Sequence, residues 1–223
     1  MPVEKHINFF ELIKAAGKPG CPLCRLVNDR AEWYIDNLLF EHVADRGFRA
    51  LHRAAGGFCA FHSRNLVSFR DGLAVAILSR DILEDRITSF IKKKFWKPAG
   101  RCPICIERER IEEEYLGFIA AMSEEDSRKE TPEEKELRTA LTASDGLCAP
   151  HHHGLLFSPK GKPRSTPAWI RNFHEKKYRD LLGRVDRFIE FSAWGRQDEF
   201  AALAPEDQLV WKEAAASLRG NTE

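Results

Sequence analysis

Cysteine and histidine residues form one pattern that occurs twice in this sequence. Each copy contains Cys-Pro-x-Cys followed, at a distance, by Gly-x-Cys-x-x-His, and all six cysteines belong to the pattern. Three thiolates and one imidazole make up the ligand set of a closed, tetrahedral zinc site. The sequence therefore predicts two Cys3His metal sites, with two zinc ions as the expected cofactors. The candidate ligands are Cys21, Cys24, Cys59 and His62 in the first copy and Cys102, Cys105, Cys148 and His151 in the second.

The two copies correspond in their spacing. An offset of 81 residues carries Cys21 to Cys102, and an offset of 89 carries Cys59 to Cys148. The extra residues are easily placed in the charged stretch 123–130, because insertions in polar connections cost little stability. We interpret the pattern as an internal duplication. It divides the chain into a first metal-binding helical module, residues 1–98, and a second module with C-terminal helices, residues 99–223, which we expect to form one compact unit.

The spacing favours a site that is assembled within each copy. Between the two halves of a site lie 34 residues in the first copy and 42 in the second, a span that two antiparallel helices would cover. An exchange between copies is the alternative, and it requires longer loops, which cost more entropy to close. In that exchange Cys21 and Cys24 would meet Cys148 and His151.

Other chemistry is compatible with parts of the pattern. A thioredoxin-like redox pair shares Cys-Pro-x-Cys, but it expects a β-strand before the motif and no third cysteine with a histidine. An iron–sulfur cluster with one histidine ligand would also satisfy the ligand count, although such clusters usually have four cysteine ligands. At the second site, His152 or His153 could replace His151. Inert, buried thiols would not repeat at matched spacing.

Apolar residues recur with a helical period wherever a period can be read, so the predicted fold is all-α, a helical bundle of two tandem modules. Proline suits the first turn of a helix at Pro22, and Gly56-Gly57 is typical of a left-handed helix end. Thr131 and Glu134 have the spacing of a capping box. The predicted helices are about twenty residues from Pro22, then 44–54, 71–96, 106–121, 132–143, 168–193 and 205–219.

Composition limits the classes of partner. The net charge is +1, so nothing on electrostatic grounds indicates nucleic acid or an anionic membrane. The longest apolar run, 72–78, is far too short for a membrane span, and no signal peptide is apparent at the N-terminus. We therefore expect a cytoplasmic protein whose partner is another protein, with its oligomeric state left open.

The remaining polar residues have ordinary interpretations. Histidines outside the pattern are expected to be surface or partly packed residues rather than ligands. Charged residues interrupt the apolar helix 71–96, and we interpret them as a solvated face without a catalytic carboxylate. The basic segments 92–94 and 160–164 could contact an acidic partner, although solvated charge explains them equally. The residues concerned are His6, His42, His52 and His174, and Arg80, Asp81, Glu84, Asp85 and Arg86.

A wider resemblance rests on these motifs together with the lead-in Phe9-Phe10-Glu11-Leu12, the segment 71–78 and the tail around Trp211. The chain resembles an uncharacterised prokaryotic family, a domain of unknown function, over nearly its whole length. The resemblance implies no established activity. It implies the ligand pattern at the eight positions named above.

Two classes of function follow from the residues. The first is a structural zinc protein whose helical modules serve as a protein-interaction module or scaffold. The second is an iron–sulfur or thiolate-based redox or metal-handling protein. An enzyme that uses a groove between the modules is a third alternative, and the sequence contains no phosphate loop, nucleophile elbow or His-Glu-x-x-His pair to support it.

Overall fold

The computed structural model describes residues 7–69, 71–95, 97–125 and 127–220. These residues form α-helices and no β-strand apart from an isolated bridge between Phe157 and Pro163. The predicted all-α fold is therefore confirmed. The helices are α1 (Ile7–Ala16), α2 (Pro22–Asn37), α3 (Arg46–Ala55), α4 (Ala60–Ser68), α5 (Gly72–Ile91), α6 (Pro103–Ala120), α7 (Pro132–Ala143), α8 (Ala149–Leu156), α9 (Ala168–Phe191), α10 (Gln197–Ala201), α11 (Pro205–Gln208) and α12 (Val210–Arg219).

Most of the predicted helices are present with modest changes at their ends. A π-helical turn, Leu38–His42, continues α2. Helix α5 ends at Ile91, and the predicted end at Trp96 lies outside the described residues. The predicted C-terminal helix is divided at Leu209 into α11 and α12. Four helices were not predicted: α1, α4, α8 and α10.

Two predicted helix ends are confirmed in detail. The Thr131 hydroxyl accepts a hydrogen bond from the Glu134 backbone N–H, and the Glu134 carboxylate accepts one from the Thr131 N–H. This reciprocal capping box begins α7. Helix α3 ends at Gly56, whose φ of 71° lies in the left-handed region, and Gly57 follows with a φ of 96°. These two glycines turn the chain toward Cys59.

The contacts divide the chain into two compact units. The first lies within Met1–Leu26 and Glu113–Glu223, and the second within Val27–Glu112. These units do not coincide with the modules 1–98 and 99–223, which were defined by the sequence repeat, and the division into those modules remains a prediction.

In the first unit, α1 packs against α7, and α12 packs against α8 and α9. The buried side chains on these helices include Leu12 on α1, Leu137 on α7, Leu155 on α8, Ile170 on α9 and Val210 on α12. In each case the apolar stripe of an amphipathic helix provides the buried face.

In the second unit, α5 packs against α3, α4 and the π-helical turn. Leu38, Leu66 and Leu78 share one apolar core with Ile104 from the beginning of α6. Arg49 on α3 makes two hydrogen bonds to the buried Asp81 carboxylate on α5, at 2.5 and 2.7 Å. Asp81 was predicted to belong to a solvated face. That prediction is wrong, because the arginine pairing makes its burial tolerable.

None of the helices in the described part of the chain combines the length and the apolar character that a transmembrane span requires.

Candidate metal centres

The eight predicted ligand residues come together in two groups of four. Cluster A contains Cys21, Cys24, Cys148 and His151, and cluster B contains Cys59, His62, Cys102 and Cys105. Within each cluster the four candidate ligand atoms lie within 4.8 Å of one another. The prediction that each site is assembled within its own copy is wrong, since the Cys-Pro-x-Cys of each copy meets the Cys-x-x-His of the other. All six cysteines are free thiols.

Each half of a cluster is the beginning of a helix. Cys59 is the N-cap residue of α4 and Cys148 is the N-cap residue of α8, so that His62 and His151 occupy the third helical position. Cys21 and Cys102 directly precede α2 and α6, and their carbonyl oxygens accept the first helical hydrogen bonds from residues 25 and 106. An N-cap side chain naturally approaches the third helical residue, as it does in a capping box. The spacing of two intervening residues therefore places both ligands of each half on one side of a helix end.

Cluster A has short and similar distances between its candidate ligand atoms. The Nδ1 atom of His151 lies 3.4 Å from the Sγ of Cys21, 3.4 Å from that of Cys24 and 3.1 Å from that of Cys148. The sulfurs of Cys24 and Cys148 are 3.6 Å apart. All four residues are buried, with exposed fractions between 2% and 9%.

Cluster B repeats this geometry. The Nδ1 atom of His62 lies 3.2 Å from the Sγ of Cys59, 3.5 Å from that of Cys102 and 3.4 Å from that of Cys105. The sulfurs of Cys59 and Cys105 are 3.7 Å apart. Cys59 and Cys105 are half-buried, so cluster B is more accessible to solvent than cluster A.

These distances fit one tetrahedral ion in each cluster. Metal–sulfur bonds of about 2.3 Å and metal–nitrogen bonds of about 2.0 Å imply edges of roughly 3.8 Å between sulfurs and roughly 3.5 Å between sulfur and nitrogen. The measured edges lie within a few tenths of an ångström of both values. The two clusters could therefore each hold a metal ion.

The thiols of a cluster influence each other's ionisation. Hydrogen bonds from Cys148 and Cys24 lower the pKa of the Cys21 thiol well below its usual range, and the same contact with Cys21 raises the pKa of Cys148. Burial lowers the pKa of His151, but its contacts with the sulfurs of Cys21 and Cys24 outweigh burial and raise that pKa to about 10. In cluster B, burial and the Cys102 charge raise the pKa of Cys105 to about 12. In each cluster, therefore, one cysteine loses its proton more readily than the others. A bound cation would favour the thiolate form of all three cysteines.

The helix ends help to compensate that charge. The N-termini of α2 and α8 meet at cluster A, and those of α4 and α6 meet at cluster B. A helix N-terminus carries roughly half a positive charge, so two of them offset about one negative charge. Three thiolates with a divalent ion would have a net charge of −1, which matches this arrangement.

Chain segments that precede the ligands hold the exchanged partners together. In the first unit the Gly20 N–H donates to the Asp145 carboxylate at 2.6 Å, which joins the segment before Cys21 to the segment before Cys148. In the second unit the Ala99 and Gly100 N–H groups both donate to the Ala54 carbonyl, at 2.8 and 3.0 Å. These bonds join the segment before Cys102 to the end of α3.

Packing energy explains why the loop-length argument failed. Cys24 and Cys148 are 124 positions apart, yet closing that loop instead of the shorter one costs only about 1 kcal/mol more. Ile104, between the two cysteines of its motif, is fully buried in the same core as Leu66 of α4. Burying one such side chain contributes about 1.5 to 3 kcal/mol. A packing contribution of this size exceeds the difference in loop-closure cost, so loop length does not determine which halves meet.

A glycine near the C-terminus also contacts cluster A, and sequence reasoning missed it. A Cβ atom at Gly220 would lie 2.9 Å from the sulfur of Cys24 and 3.1 Å from that of Cys148. The backbone of Gly220, at the end of α12, therefore lies against the sulfurs. Its φ of 77° favours glycine.

The other histidines have defined places. His151 belongs to cluster A, whereas His152 stacks on His174 with ring centroids 4.4 Å apart, and His153 packs on Phe157. His52 and His174 are buried, at 2% exposure each, which corrects the prediction of surface or partly packed positions. Neither belongs to a cluster. His42 is exposed, and His6 lies outside the described residues.

Comparison with known proteins gives a distant relative whose name states no function. An uncharacterised 23.9 kDa protein in the xynA 3′ region of Caldicellulosiruptor sp. (strain Rt8B.4) is 33% identical over 100 residues, which are 43% of this chain. The chain spans about half, 49%, of the length of that relative. No family model and no solved structure matches the chain. The relative is consistent with an uncharacterised family, and a shared ligand pattern among its members stays a prediction.

Proposed function

We propose that this protein is a structural zinc protein in which each cluster binds one Zn²⁺ ion. The observation that carries the proposal is the agreement of the ligand-atom distances in both clusters with the edges of a tetrahedral ZnS₃N site. The residues that would hold the ions are Cys21, Cys24, Cys148 and His151 in cluster A and Cys59, His62, Cys102 and Cys105 in cluster B.

The role of such ions would be to join distant segments of the chain. Each ion would hold two helix beginnings together, and its binding free energy would add to the stability of the folded state. Three thiolates and an imidazole complete a tetrahedral shell, so no position remains for water or substrate. This favours a structural role over catalysis.

The compactness of the clusters favours single ions over iron–sulfur clusters. In a multinuclear cluster the ligands bind different iron atoms, so their atoms are spread more widely than around one ion. Here all four ligand atoms lie within 4.8 Å of one another. Zinc also suits a thiolate-rich tetrahedral site without redox chemistry.

Elemental analysis and an absorption spectrum of anaerobically purified protein test the metal. We expect one zinc ion for each of the two clusters and no visible band. The variant His151→Asn should lose one equivalent, while the matched control His153→Asn, two positions away on the exposed side of α8, should keep both. Iron with absorbance near about 400 nm would support the iron–sulfur alternative instead.

We propose that the partner is another protein and that the interaction takes place in the cytoplasm. Helix α5 presents Ile87, Phe90 and Ile91, which are 55%, 77% and 76% exposed. Exposed apolar clusters of this kind are typical of protein-interaction surfaces. Light scattering of the wild type and of the double variant Ile87→Glu, Ile91→Glu tests whether this surface mediates self-association. A wild-type oligomer that the double variant converts to a monomer indicates self-association, whereas a monomeric wild type leaves the surface free for a different protein.

A second candidate function is the handling of exchangeable metal at cluster B. It is favoured by the partial exposure of Cys59 and Cys105, whereas every residue of cluster A is buried. A colorimetric chelator should then remove one equivalent of metal much faster than the other. The equivalent that the chelator removes more slowly should be the one bound at cluster A, so it should be missing from His151→Asn.

A further inference from the structure

A cavity of about 320 Å³ lies in the second unit beside the end of α3. Its walls are mainly aliphatic and aromatic, with contributions from Leu66 of α4 and from Val75, Leu78 and Ile82 of α5. Volumes of a few hundred cubic ångströms with apolar walls and few polar groups are typical of small-molecule sites.

One polar side chain with an unused hydrogen-bonding atom lines this cavity. His52 is 2% exposed, and its Nδ1 atom is buried with no hydrogen-bond partner among the described residues. A buried polar atom without a partner costs about 1 to 3 kcal/mol. The hydroxyl-bearing residues Ser63 and Ser79 also line the cavity. The Nε2 atom of the same ring lies 3.8 Å from a Cβ built at Gly57, which also lines the cavity, so a polar atom of a ligand would reach the ring at Nε2.

The equivalent histidine in the first unit, His174, has hydrogen-bond partners for both ring nitrogens. Gly146 precedes Cys148 as Gly57 precedes Cys59, and a Cβ at Gly146 would lie 3.3 Å from Phe173 and 3.4 Å from His174. There the imidazole of His174 is fully paired: Nε2 accepts from the Leu147 N–H, and Nδ1 donates to the Ile170 carbonyl, both at 2.8 Å. In the second unit the Nδ1 atom of His52 has no such partner within the residues that the structure describes, and a Cβ at Gly57 would lie 3.5 Å from Ile82 and 3.8 Å from His52.

We propose that this cavity binds a small, uncharged, largely apolar molecule with one hydroxyl group, which hydrogen-bonds to His52. A hydroxyl can donate or accept, so it suits either tautomer of a neutral imidazole. Burial lowers the pKa of His52, which supports the neutral ring. An anionic ligand is disfavoured because, in the part of the chain that the structure describes, no lysine or arginine lines the cavity to pair with it. None of the eight proposed metal ligands lines this cavity, although Gly57, Phe58 and Ser63 of its lining flank Cys59 and His62 of cluster B.

Titration of full-length, amide-labelled protein with three probes tests the proposal by NMR. The probes are 4-propylphenol, propylbenzene, which lacks the hydroxyl, and 4-propylbenzoate, which is anionic. We expect 4-propylphenol to bind with a Kd of about 1 mM or tighter, and each other probe to bind about tenfold more weakly. The amide signals that shift should belong to the cavity walls.

Two variants with a matched control assign the site. His52→Phe should bind 4-propylphenol and propylbenzene equally, because it removes the hydrogen bond but keeps a ring. Val75→Phe should abolish binding by filling the cavity, whereas Leu73→Phe, on the same helix and 74% exposed, should leave binding unchanged. The proposal is overturned if no probe gives saturable shifts at these residues, or if Val75→Phe binds as well as the wild type. Metal content of the same samples reports separately on the zinc proposal.

Discussion

Gly220 is a residue at which one methyl group would disturb cluster A. Because its Cβ would approach the sulfurs of Cys24 and Cys148 within 3.1 Å, either α12 or the thiolates must move in Gly220→Ala. We expect this variant to bind metal at cluster A at least tenfold more weakly, measured by competition with a chelator of known affinity. Cluster B should be unaffected.

Gly161→Ala is the matched control for that experiment. Gly161 has a similar φ of 71°, but a Cβ there meets nothing within 4 Å. Both variants place a Cβ on a backbone with positive φ, at a strain of order 1 to 3 kcal/mol, and only Gly220→Ala brings that Cβ against the sulfurs. Unchanged affinity in Gly220→Ala would contradict the packing of α12 on the cluster.

His174 makes the stability of the first unit sensitive to acid. Burial lowers its pKa to about 4 from 6.5, despite the hydrogen bond to the Ile170 carbonyl and the opposing charge of Cys21. The unfolded chain therefore binds a proton at a higher pH than the folded chain does. The contribution of neutral His174 is present above pH 6.5 and is lost progressively as the pH falls from 6.5 to 4.

His174→Gln tests this pH dependence, because the glutamine amide can replace Nε2 but does not titrate. We expect the wild type to lose about 2 kcal/mol of unfolding free energy relative to the variant between pH 7.5 and pH 5. Denaturant unfolding at a series of pH values measures the difference, in which acid effects common to both proteins cancel. Parallel pH curves would show that His174 is not the group responsible.

At the scale of helices, the pairing of α3 with α5 depends on a buried carboxylate. Asp81 has a side-chain exposure of 2%, and Arg49 holds its pKa below the usual range. Arg49→Met keeps the apolar stem but leaves Asp81 with Arg53 at 4.0 Å as its nearest remaining cation. We expect a loss of about 3 kcal/mol in unfolding free energy at neutral pH.

Arg80→Met is the control, because Arg80 pairs with Glu84 on the exposed face of the same α5 helix. Exposed pairs of this type contribute about 0.5 kcal/mol or less. The cost of Arg49→Met should also shrink below about pH 4, since protonation of Asp81 removes the unpaired charge. Equal losses of unfolding free energy in the two variants would show that the buried ion pair contributes no more to stability than the exposed pair.

Helices differ in how well their sequences predict them. Helices α2, α5, α7 and α9 have apolar residues at helical spacing over twelve or more residues, so their positions were predictable. Helices α4 and α8 have only nine and eight residues and begin at the ligand cysteines. Their short length gives little periodic signal. Cys-x-x-His was interpreted only as a metal-binding motif, although the same spacing also places the cysteine at the N-cap and the histidine at the third helical position.

The candidate site was predictable in its members but not in its pairing. The repeated spacing identified all eight residues that the structure gathers, because ligand type and local spacing are encoded within each motif. Which halves meet depends on contacts between segments far apart in sequence, such as that of Ile104 with the core around Leu66. Loop-closure entropy differs too little between the two pairings to decide between them.

At the scale of the whole molecule, metal content of paired variants tests the exchange between the copies. Cys24→Ser with Cys148→Ser changes two residues of cluster A, so this protein should lose one equivalent of zinc and keep the other. Cys24→Ser with Cys59→Ser changes one residue in each cluster and should lose both. If each site were assembled within its own copy, the two outcomes would be reversed. Elemental analysis after gel filtration therefore distinguishes the two topologies, and circular dichroism of each variant shows whether the helices persist.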